Sequence, residues 1–159
     1  MNVRQTLKHC PVFATLTGSE FDMIADFTTE REYTTGVTIF KASEPSEELL
    51  VLEEGKIALQ VAVTLEAGQP GRKITIDIVN QYEVVGWSAV VEPFVYNFTG
   101  TCLQPCRVLV ISGKRLRRLM QNDEHIGFEV LQGLIKVVSE RLGDTRQMLV
   151  SERLAVPAE

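Results

Sequence analysis

Apolar positions change their spacing twice along this chain. The first part is helical. Leu7, Val12, Phe13 and Leu16 are apolar around an interrupting Pro11, which predicts a short helix–loop–helix opening. Thr17-Gly-Ser-Glu20 has the form of a capping box, and Phe21, Ile24, Ala25 and Phe27 follow at helical spacing. This helix is expected to end before Tyr33. From Tyr33 to about Ser112 the pattern becomes that of short strands. Tyr33 is expected to start a strand, Thr35-Gly36 to turn it, and Val37 to Lys41 to continue it, before a loop at Glu44-Pro45-Ser46. Leu49 to Leu52 and Ile57 to Val63 read as a hairpin around Glu53-Glu54-Gly55-Lys56. Gly68 and Pro70-Gly71 mark a further turn, and Ile74 to Val79 alternates as a half-buried strand should. Phe94 to Leu103 and Val108 to Ile111 complete the set.

Beyond Ser112 the helical period returns. Ser112 is placed to cap a short helix, Lys114 to Gln121, with Leu116, Leu119 and Met120 inward. A long helix then runs from about Glu124 to Leu154. Along it Phe128, Leu131, Ile135, Val138, Leu142, Thr145 and Leu149 recur at alternating spacings of three and four, a heptad seam with Thr145 its polar member. Val130, Leu134 and Val137 form a second stripe, displaced around the helix. One seam is expected to face the β-domain and the other a partner helix, so a homodimer is predicted. Gly127, Gly133 and Gly143 weaken this helix by ~1 kcal/mol each against Ala, unless they permit a bend or a close approach. Residues 1–123 and 124–154 thus form one domain, with 155–159 as a tail.

Charge and composition remove several function classes. The net charge of −5 disfavours nucleic-acid binding, which needs clustered Lys and Arg. The basic run Lys114, Arg115, Arg117, Arg118 lies on the short helix and is expected to be a solvated face. No secretory segment and no membrane-length apolar run is seen, and three cysteines, an odd number, argue against a disulfide framework. A cytoplasmic protein is the expectation. No Gly-x-Ser-x-Gly elbow, phosphate loop or His-Glu-x-x-His occurs, so no enzyme is expected. Cys102 and Cys106 are read as a structural thiol pair and Cys10 as a packing residue.

The order of these elements, helices, β-roll, short helix, long helix, resembles the cyclic-nucleotide-binding domain of catabolite-activator-type regulators. Leu7-Lys-His-Cys-Pro-Val-Phe13, Gly36-Val-Thr-Ile-Phe40, Leu50-Val-Leu-Glu-Glu-Gly-Lys-Ile57, Cys106-Arg-Val-Leu-Val-Ile111 and Val138-Ser-Glu-Arg-Leu-Gly-Asp-Thr-Arg146 carry the resemblance. It implies an α+β, mainly β fold: an antiparallel double-stranded β-helix, or jelly roll, with short N-terminal helices and a long C-terminal dimer helix. It also places the ligand cassette at residues 84 to 101, where Gly86, Ala89, a bend near Pro93 and a following strand match its backbone cues.

The cassette departs from the family in its charges. Where the family has a Glu after the glycine and an Arg about ten residues later to fork the phosphate, this chain has Trp87 and Tyr96. Ser88 and Asn97 remain as polar neighbours. Tight cAMP or cGMP binding is therefore not expected, and no cofactor is assigned. The two aromatics offer ring faces to a less charged ligand, or they fill the pocket themselves. Cupin-type relatives of the roll need several histidines on their strands, whereas His9 and His125 both fall outside the predicted roll, so no metal is expected. Nothing selects His9 or Cys10 as a haem ligand. Family regulators carry a helix-turn-helix after the long helix; this sequence ends at Glu159, and direct DNA reading by it is not expected. The reading is a non-catalytic sensor domain, with a ligand-free module that docks a protein partner as the alternative.

Overall fold

The computed structural model describes residues 2–64, 66–69 and 71–155. Helices α1 (Val3–His9) and α2 (Gly18–Ala25) open the chain. The capping box forms, with the Thr17 N–H donating to the Glu20 carboxylate at 2.7 Å. Eight strands follow: β1 (Thr28–Tyr33), β2 (Thr38–Phe40), β3 (Glu48–Glu54), β4 (Ile57–Val63), β5 (Arg72–Val79), β6 (Val84–Val85), β7 (Thr99–Cys102) and β8 (Cys106–Ser112). A single 3-10 turn, Trp87–Ala89, lies between β6 and β7, and α3 (Gly113–Asn122) and α4 (Glu124–Ala155) close the fold. Ser112 caps α3 as expected, its Oγ accepting from the Arg115 N–H.

The strands form two antiparallel four-stranded sheets, in the orders β1-β8-β3-β6 and β2-β7-β4-β5. This is the mainly β jelly roll the sequence predicts. Between the sheets lie Phe40, Leu50, Leu52, Ile57, Leu59, Val85, Val108 and Val110. The other face of the first sheet, carrying Leu49, Val51, Leu109 and Ile111, packs on Leu7, Phe13, Phe21, Ile24, Leu116, Ile126, Val130 and Leu134 of the helical layer. The central strands of the first sheet, β3 and β8, are thus buried on both faces, which is why they read as nearly unbroken apolar runs.

Four sequence expectations need correction. Tyr33 ends β1 rather than starting a strand; Thr28–Tyr33 is mostly exposed and so gives no apolar alternation. The segments around Gly55 are not a hairpin, because β3 and β4 belong to different sheets. Gly55 instead makes the corner between the sheets at φ +102°, where a Cβ would lie 2.4 Å from the Pro105 carbonyl oxygen. Phe94 to Phe98 is not a regular strand; β7 begins only at Thr99, after a single bridge between Pro45 and Val95. Burial along β5 rises toward Val79 instead of alternating. Pro70 of the predicted turn, and 156–159 of the predicted tail, lie outside the described residues.

On α4, Val130 and Leu134 are buried and Val137 packs beside them, so this stripe faces the domain. Gly133 allows it: a Cβ there would sit 2.7 Å from the Val12 backbone. The heptad seam is largely exposed, although Val138, Leu142 and Thr145 edge toward the roll. Phe128, Ile135 and Leu142 are 63%, 68% and 69% exposed, and Leu131, Val138, Thr145 and Leu149 are exposed with them. Among the described residues no helix is long and apolar enough to cross a membrane.

Candidate functional site

The cassette hangs from the end of β6. Gly86 has φ +76°, and a Cβ on it would meet the Glu48 carbonyl oxygen at 2.7 Å, so the turn requires glycine on two counts. The chain then closes the 3-10 turn, with Ala89 N–H bonded to Gly86 O at 2.9 Å. Ser88 and Ala89 are buried. From α3, Arg117 holds this turn: its guanidinium donates to the Ala89 carbonyl and lies 4.2 Å over the Phe94 ring. Arg115 likewise covers Phe27 at 4.9 Å. The basic run is thus the solvated face expected of it at Lys114, Arg115 and Arg118, all exposed, while Arg117 alone is half-buried against the cassette turn.

Gly86, Trp87, Ser88, Tyr96 and Asn97 come together around one small cavity, which Phe40, Leu59, Val85 and Phe98 complete. Ala89 is buried behind the wall. Tyr96 stacks on Phe40 with centroids 4.5 Å apart, and burial pushes its phenol above the ordinary value, so it is a neutral group. The enclosed space is about 10 Å³, roughly one water molecule.

The residue that sequence reasoning missed is Arg141, from the middle of α4. Its guanidinium lies 4.7 Å over the Trp87 ring. Nη2 donates to the Val84 carbonyl at 3.0 Å, and Nε lies 3.4 Å from the Asp77 carboxylate. Nη1 is buried with no hydrogen-bond partner among the described residues. Burial draws the Arg141 pKa below the usual arginine range, while Asp77 and Glu83 oppose that shift. Arginine keeps its proton throughout, so a cation stands on the cavity wall. Leu59, Trp87, Phe98 and Arg141 also line a second cavity of about 240 Å³ toward α4, bounded by Val138, Leu142, Thr145 and Met148. Asp77 and Asp144 also border the second cavity, and Trp87 and Arg141 are among the four residues the two share. A signal for Arg141 did exist: it continues the inward stripe Val130, Leu134, Val137 at the next helical step.

Elsewhere, His125 at the start of α4 bonds Glu20 of α2 at 2.5 Å, with Glu129 at 3.9 Å. His9 stacks on Tyr82 at 5.0 Å. Cys10, Cys102 and Cys106 are buried free thiols, and Cys106 donates to the Lys56 carbonyl at 3.3 Å. No cluster of three or more potential metal ligands occurs among the described residues.

A family model for the cyclic nucleotide-binding domain matches residues 30–123. No curated protein sequence matches. Among solved structures, a candidate cyclic nucleotide-binding protein of Geobacter metallireducens GS-15 is 27% identical, with a TM-score of 0.75 over 89% of this chain and 99% of that one. The N-terminal domain of a transcriptional regulator from Streptomyces coelicolor A3(2) gives 23% identity and a TM-score of 0.69, over 91% and 94% of the two chains. The sensor domain of the transcriptional regulator DNR from Pseudomonas aeruginosa gives 16% and 0.68, over 87% and 92%. These last two speak for the fold alone.

Proposed function

Because the chain belongs to the cyclic nucleotide-binding domain family, we infer that it is a non-catalytic sensor domain in which pocket occupancy is coupled to the long helix. The observation that carries this reading is the contact of Arg141 with Trp87. Trp87 is the side chain that follows the cassette glycine, and Arg141 belongs to α4. A molecule that enters the cavity must displace Trp87, and displacing Trp87 disturbs an α4 side chain that is bonded to the roll at Asp77 and Val84. Two arrangements of this contact give the bistable element that a ligand would bias.

The ordinary cyclic nucleotides are poor candidates for that ligand. Neither Trp87 nor Tyr96 replaces a carboxylate acceptor or a guanidinium fork, and losing one bidentate charged contact costs several kcal/mol of affinity. The readout would be a homodimer built on the exposed seam of α4, since Phe128, Ile135 and Leu142 form an apolar face with no cover in the single chain. Calorimetric titration with cAMP and cGMP tests the ligand half. Binding in the micromolar range would refute the reading of Trp87 and Tyr96.

One observation favours a second reading. The cavity of about 10 Å³ is far below the ~300–1,000 Å³ of drug-sized sites. A pocket filled by its own aromatics would make the domain a ligand-free interaction module that docks a protein through α4. A Trp87→Ala variant separates the two: opening the cavity leaves partner docking intact in the second reading and alters it in the first.

A further inference from the structure

The lining of the small cavity has an uneven chemistry. Four aromatic rings, Phe40, Trp87, Tyr96 and Phe98, stand on its wall. Among the described residues lining it, Arg141 is the only charged side chain, and no carboxylate lies there. Asp77 lies 3.4 Å from Nε, Glu83 borders the same outer groove as Arg141, and Nη1 is buried without an acceptor among the described residues. A buried charged donor left without an acceptor is costly. The site therefore lacks an acceptor, and a planar two-oxygen anion suits the fork of a guanidinium.

We propose that this cavity takes a small aromatic carboxylate, its ring among the four aromatic side chains and its carboxylate on Nη1 of Arg141. The proposal deepens the sensor reading and rests on it. Room comes from Trp87, which lines both the small cavity and the 240 Å³ space beside α4; that second space also carries Asp77 and Asp144, so its apolar side takes the ring and the anion stays with Arg141. The space is that of a one-ring ligand, below the size of a nucleotide site. The cation that grips the anion is supplied by the helix, so binding pulls on α4 directly. Asp77 competes for the same guanidinium and sets how strongly the anion is held.

Trp87 is the sole tryptophan, so its emission reports the site. Benzoate, benzyl alcohol, adenosine and inorganic phosphate are titrated against the full chain. Benzoate is expected to change Trp87 emission saturably, with benzyl alcohol and phosphate each at least about tenfold weaker, the first lacking the charge and the second the ring. Arg141→Met should weaken benzoate at least about tenfold and Arg141→Lys less, because the lysine keeps charge without the fork. Asp77→Asn should tighten it a few-fold, and this variant keeps the test valid if the Arg141 variants fold poorly. Equal binding of benzoate and benzyl alcohol, an unchanged affinity in Arg141→Met, or no saturable response to benzoate overturns the proposal. Hydrogen exchange along residues 142–155 separates the two levels. If benzoate binds through Arg141 without altering exchange there, the ligand class stands and the sensor reading falls. If adenosine alters it and benzoate does not, the sensor reading stands and the ligand class falls.

Discussion

Two glycines of α4 meet opposite surroundings, so the same substitution should act with opposite sign on each. At Gly143 a Cβ would meet nothing within 4 Å, and Gly143→Ala should simply gain helix propensity, about 0.8–1 kcal/mol. At Gly133 the Cβ would lie 2.7 Å from both the Cα and the carbonyl oxygen of Val12. These are backbone atoms and cannot turn aside. Reaching ordinary contact at 3.4 Å requires α4 to lift by about 0.7 Å, the difference between the two distances. Overpacking of this kind costs about 1–3 kcal/mol, which cancels or exceeds the same propensity gain. Gly133→Ala should therefore be neutral to about 2 kcal/mol destabilising, and lie about 1–3 kcal/mol below Gly143→Ala. Urea denaturation followed by circular dichroism measures the difference at fixed protein concentration, because an associating chain gains stability with concentration. In a chain of this size each kcal/mol moves Tm by about 2–4 °C. Gly133 also precedes Arg141 by eight residues, about 12 Å of helix. Lifting α4 there should loosen Arg141 from Trp87 and alter Trp87 emission in the folded protein. If Gly133→Ala stabilises as much as Gly143→Ala, α4 does not rest on the Val12 turn, and the seat that brings Arg141 to the cavity is wrong.

Other expectations are checked more briefly. The Glu20 bond raises the His125 pKa above its ordinary value of 6.5, an effect that lends stability below pH 6.5 and is lost as pH rises through the raised value. Burial works to raise the Glu20 carboxyl, but hydrogen bonds from Thr17 and His125 outweigh it and lower the pKa below 4.5; that contribution is present above pH 4.5 and lost as pH falls through the lowered value. The stability gap between wild type and His125→Gln should thus be wider near about pH 5.5 than near about pH 8.5, with Glu129 and Asp123 adding to it; an equal gap would remove the charge from the His125–Glu20 contact. Burial pushes the Cys10 and Cys102 thiols up to about 12, so a disulfide reagent at about pH 8 should leave both unmodified in the native protein and react with all three thiols after unfolding. Leu142→Glu and Ile135→Glu, at positions 69% and 68% exposed in the single chain, should halve the mass seen by light scattering and lose only the concentration-dependent part of the stability. A wild-type monomer at micromolar concentration would remove the seam from the account.

What could be read from the sequence was whatever a local period records. The capping box at Thr17, the Ser112 cap and the inward stripe of α4 each need only a few neighbouring residues, and all form as the pattern indicates. The assignment of strands to sheets is not a local property. Leu49 to Leu52 and Ile57 to Val63 sit either side of Gly55 like the arms of a hairpin, but a hairpin turn and a corner between two sheets ask for the same left-handed glycine. Only the partners decide, and they lie far off, β8 for one arm and β7 for the other. Phe94 to Phe98 fails differently: its aromatics serve the cavity and Arg117, and its backbone pairs with Ser43, Glu44 and Ser46 around one bridge, so strand-like composition here records packing more than a regular ladder. The same contrast governs the site. The cassette positions all fall within residues 86–97, and five of the six line one cavity. Within that stretch the position expected to carry the cation holds Tyr96. The structure brings one from 55 residues beyond Gly86, along a helix stripe whose first three members are apolar. An arginine in the line of an inward stripe is the sequence sign of a charge that must meet something inside. Its position on α4, rather than on the roll, makes the helix itself part of the pocket wall, so in this chain the group that would sense a ligand and the group that would move are the same side chain.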